Sequence, residues 1–170
     1  MSVGDTGAKY LDLTSPTQSY ARAAGSLGWG LPASIGAQLA VPDRPVVLFT
    51  GDGGFWYHVG ELETAARWGV PVTIVVNNNR SLNQEIPPYT NAYGGTLHGR
   101  HGELWQFRDL DLAEVAEAHG ATGVTVHKAG EFSAAMDRAL SSPGPTVVNV
   151  VTDMEIVAPP GTTRPAEETR

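Results

Sequence analysis

The chain has 170 residues, 41% of them apolar, enough for one domain to bury its own core without disulfides or a structural metal. Eleven basic against 18 acidic residues give a net charge of −7, which argues against bare nucleic-acid phosphate as a partner surface. The absence of cysteine removes disulfides, thiolate metal sites and cysteine nucleophiles together.

Met1 to Lys9 has neither the basic start nor the apolar stretch of a signal peptide, and no apolar run reaches the length of a membrane span. A soluble cytoplasmic protein is the expectation. In chain order, Val46 to Phe49 is the first apolar run that reads as a buried strand, followed by Thr50-Gly51-Asp52-Gly53-Gly54 and a helix starting near Phe55. Val72 to Val76 reads as the second strand, followed by Asn77-Asn78-Asn79-Arg80-Ser81. Leu82 to Arg108, with Pro87-Pro88, Gly94-Gly95, His98 and His101, reads as a long irregular lid or substrate loop. Leu112, Val115, Ala116 and His119 then repeat at helical spacing, Val124 to Val126 makes a short strand, and Phe132, Ala135, Met136, Ala139 and Leu140 repeat as a second helix. Thr146 to Val151 is the last strand. Residues 158–170, rich in Pro, Thr and Glu, are expected to be a flexible tail, which leaves a domain at 1–157.

Alternating strands and helices predict an α/β fold: a three-layer, open, mostly parallel sheet with helices on both faces and ligands beyond the carboxyl ends of its strands. The two polar loops should be neighbours there. At the first, Gly53 and Gly54 let a backbone come close to an anion and present amide donors, a pattern that fits a diphosphate. The helix behind them would add its positive end. A carboxylate at Asp52 would repel that diphosphate unless a cation separated them, so the residue types point to magnesium. Asn79, 27 residues after Asp52, supplies a second oxygen from the next strand end.

Gly-Asp-Gly followed at this distance by an Asn after an apolar strand resembles the signature of the thiamine-diphosphate-dependent enzymes. The resemblance implies Asp52 and Asn79 as side-chain magnesium ligands, the Ser81 carbonyl as a backbone ligand and Gly51, Gly53 and Gly54 around the diphosphate, with Asn78 the fallback should the register slip by one. Upstream, Gly25-Ser26-Leu27-Gly28-Trp29-Gly30 is similar to the segment beneath the aminopyrimidine in the acetolactate synthase and benzoylformate decarboxylase group. There Leu27 would be the wedge that bends the cofactor, and the Gly25 carbonyl would accept from the 4'-amino group. Val3 to Gly7 looks like the end of the domain's first strand, with Thr6 and Gly7 as a second diphosphate contact. The similarity runs from about Val3 to Asp153 and corresponds to the family's carboxyl-terminal domain alone. It implies a cofactor-binding part of a 2-oxo acid decarboxylase or carboligase, completed by a pyrimidine-binding partner chain that carries the activating glutamate, in a hetero-oligomer such as α2β2. The other readings are an isolated fragment and a noncatalytic binding module.

Each feature has a plainer reading. Asp52 among glycines is also a common turn, and the asparagines could form a simple loop. Gly28 to Ala33, with Asp52 placed 24 residues beyond Gly28, formally fits a dinucleotide fingerprint, but Ser19 to Ala24 is not a convincing strand ahead of it. Glu61 reads as a solvated helix charge, and His58 fits the site or the surface equally. Gln84, His98 and His101 are candidates for the substrate wall. Gln84 and Pro88 stand where acetolactate synthases carry Met and Trp, which counts against acetolactate synthesis itself. His119 and His127 read as structural or exposed, and Trp29, Trp56, Trp68 and Trp105 as packing residues.

Overall fold

Runs rich in β-branched residues can bury both faces of a strand, and four of them build the sheet of the computed structural model: β1 (Val47–Gly51), β2 (Thr73–Asn78), β3 (Thr122–Val126) and β4 (Thr146–Val151). The structure describes residues 11–22 and 25–156, so the expected first strand with Thr6 and Gly7, and the expected tail at 158–170, lie outside the described residues. All pairings are parallel, in the order β1-β2-β4-β3. Leu48 lies beside Ile74 and Ile74 beside Val147, while Phe49, Val75 and Val148 form the adjacent row. Successive rows face opposite sides of the sheet.

Six helices are described: α1 (Gly30–Ala40), α2 (Asp52–Tyr57), α3 (Glu61–Arg67), α4 (Ile86–Ala92), α5 (Leu112–Ala118) and α6 (Phe132–Leu140). On one face Leu31 and Ile35 of α1, Phe55 of α2, Leu62 of α3 and Leu112 of α5 pack against Ile74, Val76 and Val147. On the other, Ala135 and Ala139 of α6 cover Val75, Val148 and Val126. Helices on both faces of a parallel sheet are the architecture that the sequence predicts. Burial of Phe55, Leu62, Ile74 and Val147 is complete, and each such side chain is worth about 1.5–3 kcal/mol. Among the described residues no helix is long and apolar enough to cross a membrane.

Four expectations need correction. The helix after β1 begins at Asp52 rather than near Phe55, because Gly51 is extended (φ −90°, ψ 165°) and Asp52 already enters the first turn. The stretch 82–108 is not structureless: it holds 3-10 turns at Asn83–Glu85 and His101–Leu104 and the helix α4, whose Pro87 and Pro88 lie in the first turn, where a missing N–H costs nothing. Trp105 is buried beside Tyr89, but Trp29 and Trp68 are exposed and do not serve the core. The stretch between Asp52 and Asn79 holds two short helices and a strand, where the sequence reading has a single helix from near Phe55 and a strand.

α5 approaches β3 closely enough that a methyl group at Gly123 would strike the Ala113 backbone. Backbone cannot move aside as a flexible side chain can. Gly123→Ala is therefore expected to destabilise the fold by about 1–3 kcal/mol, read as a lowered urea midpoint with unchanged m-value; an unchanged midpoint would contradict this packing.

Candidate functional site

Parallel pairing of β1 with β2 puts Gly51 level with Asn77, so both chains leave the sheet at the same end. Asp52 is the first residue beyond β1 and Asn79 the first beyond β2. Both are buried, as is Ser81. Asp52 Oδ1 accepts from the Gly53 N–H at 2.8 Å, and its Oδ2 accepts from the Ser81 N–H at 2.9 Å. Asn79 Oδ1 accepts from that same Ser81 N–H at 3.1 Å. Three residues expected to act together therefore meet at one amide.

Asn78 does not belong to this group. Its Nδ2 donates to Asn149 Oδ1 at 3.0 Å and its Oδ1 accepts from the Arg80 N–H at 3.2 Å, so both ends of its amide are engaged. Asn77 is likewise engaged, accepting from Thr152 Oγ1 at 2.8 Å. Among three consecutive asparagines, geometry leaves the side-chain oxygen of Asn79 beside Asp52.

Arg80 makes the turn that brings Asn79 and Ser81 round. Its φ is 60°, a left-handed conformation that costs a non-glycine residue roughly 1–2 kcal/mol. Its guanidinium pairs with Asp109 at 3.0 Å in a solvent-facing position. Behind the turn, the Leu82 N–H donates to the Trp105 carbonyl at 2.7 Å and the Phe107 N–H to the Arg80 carbonyl at 2.8 Å, so residues 80–82 are strapped to 105–107. Arg80, Asp109, Gln106, Phe107 and Met154 line, with Asn79, a cavity of about 340 Å³.

Burial pushes the Asp52 carboxyl above its ordinary value, against the opposing pull of hydrogen bonds from the Gly53, Ser81 and Arg80 amides. Among the described residues no cationic side chain forms an ion pair with it. Nor, among them, does any cluster of three or more His, Cys, Asp or Glu exist that could hold a metal. What the site offers is one carboxylate and neutral oxygens. Ser81 Oγ, moreover, is a buried side-chain oxygen with no hydrogen-bond partner, a state that native structures rarely leave unexplained. One anionic and several neutral oxygen donors suit a hard divalent cation that keeps its remaining positions for phosphate and water.

Side chains of this chain pack where a Cβ on these glycines would sit. A Cβ at Gly53 would run into Leu82, and one at Gly54 would lie 2.7 Å from Thr50 Oγ1 and 3.5 Å from Leu27 Cδ1. Their bareness thus admits neighbouring side chains of this chain. α2 has only six residues, so any contribution it makes to anion binding comes from its first amides more than from a macrodipole. Leu27 is brought over that first turn while remaining half exposed, and Gly25 and Gly28 take the positive φ values (93° and 86°) that shape its loop. At Gly28 a side chain would collide with Tyr57 and His58, which places His58 under the Leu27 loop. Ser26 is exposed.

Gln84 is exposed, and the His98 N–H donates to His101 Nδ1 at 2.7 Å, with the His101 ring against Tyr93. None of the three hydrogen-bonds to Asp52, Asn79 or Ser81 among the described residues. The dinucleotide reading lacks its context, since residues 11–22 ahead of α1 form no strand. Sequence reasoning passed over Asn149 and Arg80. An asparagine inside a run of valines was the available signal for the first; nothing in the sequence marked the left-handed turn of the second.

Residues 2–150 match the family model described as the thiamine pyrophosphate enzyme, C-terminal TPP binding domain. The acetolactate synthase large subunit of Haemophilus influenzae is 34% identical over 118 residues, covering 69% of this chain and 20% of the relative. Acetolactate synthase isozyme 3 large subunit of Escherichia coli is 34% identical over 116 residues, 68% of this chain and 20% of its own. The solved Rhodococcus jostii RHA1 thiamine diphosphate-dependent 4-hydroxybenzoylformate decarboxylase superposes with a TM-score of 0.65 at 33% identity, covering 75% of this chain and 23% of that one. The match thus spans about a fifth of the curated relatives' length.

Since burial lifts the folded-state pKa of Asp52 above that of the unfolded chain, the folded protein takes up this proton first as pH falls. Stability of the metal-free chain gains from this group as pH drops from above the folded pKa into the ordinary carboxylate range. Asp52→Asn does not titrate, and its NH2 faces one of the two amides that the carboxylate accepts from, so the informative readout is the slope with pH: the metal-free urea midpoint of wild type is expected to gain on the acid side relative to that of the variant. Identical pH slopes for the two proteins would contradict the raised Asp52 pKa.

Proposed function

Because the chain belongs to the thiamine pyrophosphate enzymes and matches their C-terminal cofactor-binding domain, we propose that it anchors thiamine diphosphate through a magnesium ion held by Asp52, Asn79 and Ser81. The observation that carries this reading is the convergence of Asp52 Oδ2 and Asn79 Oδ1 on the Ser81 amide, beside a buried hydroxyl that lacks a partner. A divalent cation there offsets the cost of the buried Asp52 charge and makes a diphosphate acceptable next to it. The Asp52 and Asn79 side chains supply two oxygens, and the Ser81 carbonyl a third.

When bound, thiamine diphosphate supplies a nucleophilic carbon and an electron sink for decarboxylating 2-oxo acids. The chain's own residues bind and orient. Gly51, Gly53 and Gly54 bring backbone to the diphosphate, Thr6 and Gly7 add a further contact, and Leu27 stands above the first turn of α2 where it can wedge the cofactor into a bent shape, with Gly25 and Ser26 alongside. Gln84, His98 and His101 belong to the wall on which a small 2-oxo acid is held. The chemistry is that of a decarboxylase or carboligase; two of the similar proteins are named an acetolactate synthase large subunit and a 4-hydroxybenzoylformate decarboxylase.

A pyrimidine-binding partner chain completes this site in a hetero-oligomer, α2β2 being the simplest form. Leu27 and Trp29, 51% and 44% exposed beside the site, support a protein surface covering it.

Titration calorimetry of thiamine diphosphate with magnesium tests this on the chain alone and with any protein that co-purifies from its host. Magnesium-dependent binding to wild type, and its loss in a folded Asp52→Ala variant, is the expected result; carbon dioxide release from 2-oxo acids with the partner would establish the enzyme. Unchanged affinity in folded Asp52→Ala would sink the metal assignment. Binding without turnover in any assembly would indicate a noncatalytic module.

A further inference from the structure

Asn149 is an amide in the middle of a valine strand and is 1% exposed. Such a group is costly unless its polar atoms are partnered, and here they are. Its Nδ2 donates to Asp111 Oδ1 at 3.0 Å, and its Oδ1 accepts from Asn78 Nδ2 at 3.0 Å. Asn78 Oδ1 in turn accepts from the Arg80 N–H. At the far end, Asp111 caps α5 by accepting from the Ala113 N–H at 2.8 Å and also accepts from Thr125 Oγ1 at 2.6 Å.

This relay has a direction. An ionised carboxylate only accepts, so Asn149 must turn its NH2 toward Asp111 and its oxygen toward Asn78. Asn78 must then answer with its own NH2, which leaves its oxygen for the Arg80 N–H. Flipping either amide sets donor against donor or acceptor against acceptor in a buried place. Burial by itself would raise the Asp111 carboxyl, but the hydrogen bonds from Thr125, Ala113, Asn149 and Glu114 outweigh it and hold the group below its ordinary range. The relay ends on the residue between Asn79 and Ser81, the one non-glycine residue with a left-handed φ among those described.

We propose that Asn149 and Asp111 are positioning residues for the metal site: acting through Asn78, they clamp the Arg80 backbone in the left-handed turn that directs Asn79 Oδ1 and the Ser81 N–H to Asp52. The link to cofactor binding rests on the function proposed above; the clamp itself does not. It also accounts for an asparagine where the neighbouring positions of β4 are valine.

The test combines amide hydrogen exchange by NMR on the metal-free full chain with calorimetry of thiamine diphosphate and magnesium, using wild type, Asn149→Ala, Arg80→Gly and the double variant. In Asn149→Ala the Arg80 amide is expected to exchange about tenfold faster while the core amides of Val76 and Val148 stay protected, and cofactor affinity to fall about tenfold, the loss of roughly one buried hydrogen bond. Arg80→Gly in that background should bring affinity back to that of Arg80→Gly alone, because glycine takes the left-handed turn without a clamp. General loss of packing would not be rescued in this way. If Asn149→Ala does not fold, Asn78→Ala cuts the same relay at its last link, near the strand's end, with the same expectations. Unchanged Arg80 exchange in a folded variant overturns the proposal, as does an affinity loss that Arg80→Gly fails to recover. Should wild type bind no cofactor in any assembly, the functional reading fails, while the exchange rates still decide the clamp.

Discussion

The hydrogen bond from the Ser81 N–H to the buried Asp52 carboxylate joins the two strand ends on which the site is built. It exists because β1 and β2 are parallel neighbours, so the residues leaving them start side by side. An antiparallel pair would send the two exits to opposite ends of the sheet. Once these two exits are together, Asn79 can share the same amide, and the oxygen atoms of three residues lie within one buried spot.

In that spot the Asp52 carboxylate is buried and, among the described residues, has no ion pair. A carboxylate withdrawn from water with no ion pair is disfavoured, which is why the Asp52 carboxyl is pushed upward. Chains commonly relieve such a charge with a lysine or arginine, but the nearby Arg80 is directed to Asp109 at the surface instead. The buried Ser81 hydroxyl adds a second unmet demand at the same place. Both demands are of the kind a hard cation answers, which is what supports the proposed magnesium site.

Rigidity comes from the surroundings. Leu82 fills the space over Gly53, residues 105–107 strap the chain from Arg80 to Leu82, and the Asn78–Asn149–Asp111 relay secures the turn from the sheet side. The loop is therefore held from two directions by groups that do not themselves touch Asp52. Leu27 and its glycine-shaped loop contrast with this: they rest on α2 with much of their apolar surface exposed.

The sequence by itself determined the fold class, the strands, the pairing of Asp52 with Asn79 and the family, because strand hydrophobicity and the Gly-Asp-Gly to Asn spacing are local patterns that survive without coordinates. It put Asn79 first with Asn78 as the fallback, but the physical distinction between them depends on which amide a residue 71 positions away engages. It missed the helix within 82–108, where prolines read as breakers although they sit harmlessly in a first turn. It gave no sign that Leu82, Thr50 and Leu27 occupy the space a Cβ on Gly53 or Gly54 would need. Trp29 and Trp68 looked like core residues by type and lie at the surface by position. Composition and spacing fix which chemistry a chain can carry; which oxygen faces which amide is settled only when distant strands pack, because hydrogen bonds act over a few ångströms that sequence distance does not measure.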